Sequence, residues 1–284
     1  MRSVILAGFL LSGTILTSAA QADADIFISG SADRSVFDWL YGEDTAFTAQ
    51  GAASIEYSFT PTLGAQGDVV VRRDFYDLDG PYSLTETDAD AALHLFYREQ
   101  DRFLVGAIGQ VGRFTSEFED LVGSNIFQVN RGYLGLEGQV YFDQVTLYGQ
   151  LGVHQHEPVD YYGMAFEGVF ATAEIRYFLT PDLKLEAHAA ALTYEDPNVD
   201  YTAGMAYNLG ASIEYRFEDS PISAFAGYDF AHTELEGGHN LVDEHRFLIG
   251  VRLNHGTDTL LDRDRTGISL KPVKPVRLLY GVLG

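Results

Sequence analysis

Five times along this chain an alternating strand ends in aromatic residues, passes a tight polar turn and resumes as a second alternating strand. The runs before the turns are Ile55-Glu56-Tyr57-Ser58-Phe59, Leu95-Phe96-Tyr97, Val140-Tyr141-Phe142, Ile175-Arg176-Tyr177-Phe178 and Ile213-Glu214-Tyr215-Arg216-Phe217. The turns begin at Thr60, Glu99, Asp143, Thr180 and Asp219, spaced by 39, 44, 37 and 39 residues, an internal repeat. A β-propeller blade has a similar period, but it needs about four short strands per repeat. Here each repeat holds two long runs and one long polar segment: 77–88, 115–127, 155–163, 195–202 and 233–244. Short turns therefore alternate with long loops, and the strands between them are each about 9 to 11 residues long, enough to cross a bilayer.

The period of two is clear within the runs. Val145, Leu147, Gly149, Leu151 and Val153 share one face, opposite Thr146, Tyr148, Gln150 and His154. Val169, Ala171, Ala173, Ile175 and Tyr177 oppose Thr172, Glu174 and Arg176, while Leu183, Leu185, Ala187 and Ala189 oppose Lys184, Glu186 and His188. Alternation alone does not say which face is outside. The charges do: turned into the dry core of a soluble barrel, each ion would cost several kcal/mol of desolvation, and turned toward a wet lumen far less. Aromatics recurring at one end of every hairpin, Tyr57, Phe59, Tyr97, Phe103, Phe142, Tyr177, Tyr215 and Phe217, then read as a girdle at the lipid headgroups.

Eleven strands can be counted between residues 48 and 254, and an even total with both ends on the turn side makes Asp25 to Ser35 the first of twelve, rising to a loop with Trp39 and Tyr41. The expected fold is all-β, an antiparallel transmembrane β-barrel of about twelve strands. Over residues 25 to 254 this pattern resembles the small porin-like bacterial outer-membrane β-barrels. The resemblance implies an outer-membrane location, a shell of lipid and lipopolysaccharide, insertion by the barrel-assembly machinery, and passive passage of small hydrophilic solutes. The alternative is a closed structural or surface-interaction barrel whose acidic loops meet ligands outside. A trimeric porin normally has more strands, which favours a monomer here.

The ends are read separately. Met1-Arg2-Ser3, the apolar run Val4 to Leu16 and the small-residue site Ala20-Gln21-Ala22 form a secretory signal peptide over 1–22, with an apolar run too short to span a bilayer. The barrel takes 23–254, and 255–284 is expected as a periplasmic tail rather than a late strand at Leu278 to Leu283, because Pro272 and Pro275 oppose a strand. From Lys271 onward the tail carries Lys271, Lys274 and Arg277 and no acid. That composition suits a disordered end or contact with an anionic periplasmic partner.

Composition narrows the chemistry. With 18 basic against 41 acidic residues and a net charge of -23, a nucleic-acid partner is excluded, and with no Cys there is neither a thiolate metal site nor a thiol nucleophile. The outer-membrane phospholipases of this size class use a His followed two residues later by Ser; none of the eight His has that neighbour, so no enzyme is expected, and no cofactor or metal. His154 with His156 and Glu157, and His239 with Asp243, Glu244 and His245, have ligand chemistry without a geometry legible in sequence. The candidate site is the set of inward charges: Glu56, Glu137, Glu174, Glu186 and Glu214 with Arg72, Arg98, Arg176, Lys184, Arg216 and Arg252, expected near one height. Either they form a constriction that filters solutes, or they brace and close the lumen. Acid in the loops, among it Asp77, Asp79, Glu86, Asp88, Asp90, Glu117, Glu119, Asp120, Glu195, Asp196, Asp200, Glu234, Glu236, Asp243 and Glu244, would raise cation concentration at the mouth and give a cation preference.

Overall fold

The computed structural model describes residues 22–37, 42–76, 83–119, 123–158, 165–195, 203–235 and 239–274. The expected signal peptide up to residue 21, the segment with Trp39 and Tyr41, and the last ten residues lie outside that range. Twelve strands follow one another: β1 (Ala22–Phe37), β2 (Gly42–Ser58), β3 (Leu63–Tyr76), β4 (Ser83–Glu99), β5 (Phe103–Glu119) and β6 (Ser124–Phe142), then β7 (Val145–Pro158), β8 (Phe166–Thr180), β9 (Leu183–Tyr194), β10 (Gly204–Arg216), β11 (Ile222–Leu235) and β12 (His239–His255). Each pairs antiparallel with its sequence neighbour, and β1 closes the barrel on β12, with Ile28 opposite Val251 on one side and Gly51 on the other. A closed ladder leaves no edge, so every strand's backbone is satisfied within the sheet, as a structure crossing lipid requires.

The strands run 12 to 19 residues, longer than the expected span. At the turn end the expected boundaries hold within three residues; at the loop end several strands continue through what read as loop. Glu86, Asp88 and Asp90 lie on β4, Glu117 and Glu119 on β5, and Asp243 and Glu244 on β12. The short turns use Asp101 (φ 60) and Asp219 (φ 53) in the left-handed region, where Asp is among the better tolerated residues.

The two faces of the wall have opposite chemistry. Outward, Leu136 and Ile249 are each 70% exposed, and Leu95, Val111, Leu134, Leu151 and Val251 stand beside them. A contiguous apolar belt of that extent belongs in lipid, since soluble monomers expose only small patches. Inward, the buried side chains include Gln66, Asp68, His94, Arg98, Glu137, Arg176 and Glu214. The turn-end aromatics stand on the outer face as expected, Tyr57 against Phe59 at 5.3 Å, Tyr97 against Phe103 at 6.0 Å and Tyr215 against Phe217 at 5.6 Å, with Phe142 and Tyr177 exposed among them. Their sequence neighbours Phe96, Tyr141 and Phe178 point inward, as a period of two demands. Further outward aromatic pairs are Phe47 against Phe75 toward the loop end and Tyr228 against Phe247 midway along β11 and β12.

The lumen is not uniformly wet. Toward the loop end Ile108, Phe114, Val129, Tyr133, Phe166, Phe170, Leu192 and Tyr194 form an inward apolar cluster. Phe170 lies over the paired glycines Gly135 and Gly152, and a Cβ at Gly152 would come within 2.6 Å of its ring and 2.2 Å of the Leu134 carbonyl oxygen. These glycines make room for the ring inside the wall.

The tail departs furthest from expectation. After β12 the chain reverses at Gly256, whose φ of 110 is poorly accessible to other residues, and residues 256–274 enter the barrel from the turn end. A short helix, α1 (Leu260–Thr266), lies across that mouth: Thr259 caps it through Oγ1 accepting from the Asp262 N–H, and the Leu261 N–H donates to the Pro181 carbonyl. Residues 268–274 then climb the wall, with Ile268, Leu270 and Val273 buried. So the segment expected outside, as a periplasmic tail, is inside as far as residue 274. The cause is charge and main-chain pairing: its cations meet luminal carboxylates, and its backbone groups meet luminal amides.

Candidate functional site

The strand period turns the eleven sequence-predicted charges into the lumen, and the incoming segment knits most of them together. Arg98, at the turn end of β4, donates from both terminal nitrogens to Glu56 at 2.8 and 3.0 Å and also to the carbonyls of Thr266 and Gly267 at 2.8 Å each. Glu214 on β10 receives Lys184 at 3.0 Å, Arg252 at 2.9 Å and Arg263 of α1 at 3.2 Å. Glu174 accepts from Arg176 at 2.5 Å and from Lys271 at 2.8 Å, and Lys271 reaches Glu186 at 2.5 Å. Arg176 continues to Asp264 at 2.6 Å, and Thr146 also donates to that carboxylate. Such pairs are charge-assisted and carry more than neutral hydrogen bonds.

Glu137 serves a different centre. His94, fully buried, lies between two carboxylates, with Nδ1 2.7 Å from Glu137 and Nε2 2.9 Å from Asp68, and Tyr148 donates to Glu137 at 2.9 Å. Two of the predicted charges stand apart, so the set is not a ring at one height. Arg72, nine residues above the turn end of β3, pairs with Asp74 at 2.8 Å and Glu244 at 3.5 Å. Arg216 is held at the turn rim by the Ser220 carbonyl at 2.8 Å. Near Arg72's level Arg131 bridges Asp88 at 2.8 Å and Asp90 at 3.0 Å, two carboxylates that read as loop in sequence. Of the paired His in His154-Gln155-His156, the first donates from Nε2 to the Thr193 carbonyl at 2.7 Å, and the second meets Tyr133 at 3.1 Å. Among the described residues no three metal-ligating side chains come together.

Sequence reasoning missed the groups supplied from the tail, Arg263, Asp264, Lys271 and Lys274, and the amides that hold it. Gln66, Gln110, Gln139 and Gln150 each bond a main-chain atom of residues 269–273. One signal pointed to the lysines: from Lys271 onward the chain carries three cations and no acid, in a sequence with 41 carboxyl residues. Between the segment and the wall on the β2–β4 and β8–β12 side a cavity of about 330 Å³ remains. Among the described residues, eight carboxylates, including Asp68, Asp229 and Glu244, and eight cations, including Arg246, Lys184 and Lys274, line it.

A closed barrel with a lipid-facing apolar belt and charges within can be stable only in a membrane. Comparison with solved structures finds the same architecture. The translocator domain of the autotransporter NalP from Neisseria meningitidis is 13% identical, with a TM-score of 0.57 over 81% of this chain and 88% of that one. An outer membrane channel from Pseudomonas putida F1 is 12% identical, with a TM-score of 0.58 over 84% and 97% of the two chains. The fold is that of the bacterial outer-membrane β-barrels. The β domain of the Bordetella autotransporter BrkA is also similar, at 11% identity and a TM-score of 0.52 over 82% of this chain and 99% of its own. At such identities the likeness is one of fold. No family model matches the sequence, and no curated protein matches it.

Proposed function

We propose that the barrel is a restricted channel for small hydrophilic solutes, and that they pass between the luminal segment and the opposite wall. The observation that carries this reading is the 330 Å³ cavity beside the segment, lined among the described residues by both carboxylates and cations rather than by apolar side chains alone. A small polar or zwitterionic solute finds partners of both signs there, and an apolar one loses the hydration of sixteen charged groups. The reading assigns the barrel no catalytic step. Its partners are the surrounding lipid and lipopolysaccharide, the assembly machinery and the solutes themselves. Its cation preference arises at the acidic mouth.

The second reading, a closed structural barrel, is favoured by one specific observation: the inward apolar cluster and the segment together fill the β4–β9 side of the lumen. Single-channel recording of the folded full-length protein in a planar bilayer separates the two. The channel reading expects small steady current steps and, across a salt gradient, a reversal potential displaced toward cations. Silence from protein shown to be folded by its heat-modifiable mobility would assign the closed reading instead.

A further inference from the structure

The luminal segment is held as a peptide is held by a receptor. A side-chain amide presents one donor and one acceptor edge, like a short piece of neighbouring strand. Gln66 uses both on one residue: Nε2 donates to the Leu270 carbonyl at 2.8 Å and Oε1 accepts the Leu270 N–H at 3.2 Å. Gln110 repeats this on Val273, donating to its carbonyl at 3.1 Å and accepting its N–H at 2.7 Å. Gln139 and Gln150 donate to the carbonyls of Ser269 and Lys271 at 3.1 and 2.7 Å. None of these contacts depends on which side chain the bound residue carries.

Selectivity comes from a three-residue repeat, the period of an extended polyproline-type chain, which Pro272 favours. Leu270 seats among Phe96, Leu104, Tyr141 and Tyr148, and three residues on Val273 enters the second apolar cluster beside Ile108. Lys271 lies between Glu174 and Glu186, and three residues on Lys274 reaches His188 at 2.8 Å and Asp229 at 3.7 Å. Packing alone would fill a lumen without aiming four amides at main chain. The geometry points to a peptide-binding groove on the lumen wall for extended, dibasic segments of the pattern apolar-Lys-x-apolar-Lys, with residues 269–274 as its exchangeable occupant. This goes beyond the channel reading and does not depend on conduction.

The test is binding of a fluorescein-labelled peptide with the sequence of Ile268 to Lys274, followed by anisotropy on detergent-folded full-length protein. In K271E/K274E the tethered segment brings carboxylates against Glu174, Glu186 and Asp229, so its grip is lost and the groove is vacated. The variant is expected to bind the labelled peptide saturably and at least tenfold more tightly than the wild type, whose own segment competes. A scrambled peptide, or one with both lysines replaced by Glu, is expected to bind at least tenfold more weakly. Equal binding by variant and wild type, or by native and scrambled peptide, would overturn the groove. Should K271E/K274E not fold, a protease site inserted between Thr257 and Asp258 and cut after folding frees the wild-type segment. Entry of labelled peptide with release of that segment supports the proposal; a cut segment that stays in molar salt and admits no peptide overturns it.

Discussion

Arg98 touches three parts of the lumen at once, the Glu56 carboxylate and the carbonyls of Thr266 and Gly267. Arg98→Ala removes a bidentate partner from a buried carboxylate, and loss of such a partner typically costs about 3–5 kcal/mol. The expected result is a lower temperature for conversion of the compact to the unfolded gel mobility, by several degrees. Gly256 acts through backbone alone: Gly256→Val meets a φ of 110 that a β-branched residue resists. That substitution is expected to loosen residues 257–274 while leaving the barrel folded, seen as faster proteolysis of the segment with unchanged heat-modifiable mobility. Inward and outward parity at residues such as Glu174, Arg176, Leu151 and Val153 was legible in sequence, because a period of two is local. The partner of each charge was not, since Lys271 and Glu174 are 97 residues apart and nothing local joins them.

At the scale of the strand, the turn ends were legible and the loop ends were not. Turn chemistry at Thr60-Pro61 and Thr180-Pro181-Asp182 stops a strand sharply, whereas above the lipid both faces of β4 and β12 turn polar and alternation fades into what looks like loop. Asp88, Asp90 and Glu244 are on strands because luminal arginines pair with them there. The outward belt makes its own prediction: Leu136→Arg puts a charge in hydrocarbon and is expected to cost about 2–4 kcal/mol if the site lies near the bilayer midplane. Folding yield into lipid vesicles measures it, and an unchanged yield would place Leu136 outside the membrane. Helix α1 is a weaker element, seven residues long and dependent on its cap. Thr259→Ala is expected to lower its stability by about 1 kcal/mol and to raise the rate at which the mouth opens, read as more frequent current steps.

Over the whole molecule, a twelve-stranded wall is wide enough to leave space within, and this chain fills about one side of it with its own C-terminal segment. Composition announced a charged, acidic protein, and the C-terminal segment brings Arg263, Lys271 and Lys274 inside to meet its luminal carboxylates. The absence of Cys makes this directly measurable, since any introduced thiol stands alone. Gln139 and Ser269 exchange hydrogen bonds at 3.1 Å, so Q139C/S269C in native outer membranes should be joined by a short bifunctional maleimide into a faster-migrating denatured form. That intramolecular cross-link is expected, together with slow labelling of S269C by a bulky, membrane-impermeant maleimide. No cross-link, with rapid labelling of S269C by that reagent, would contradict a lumen occupied by the chain's own segment.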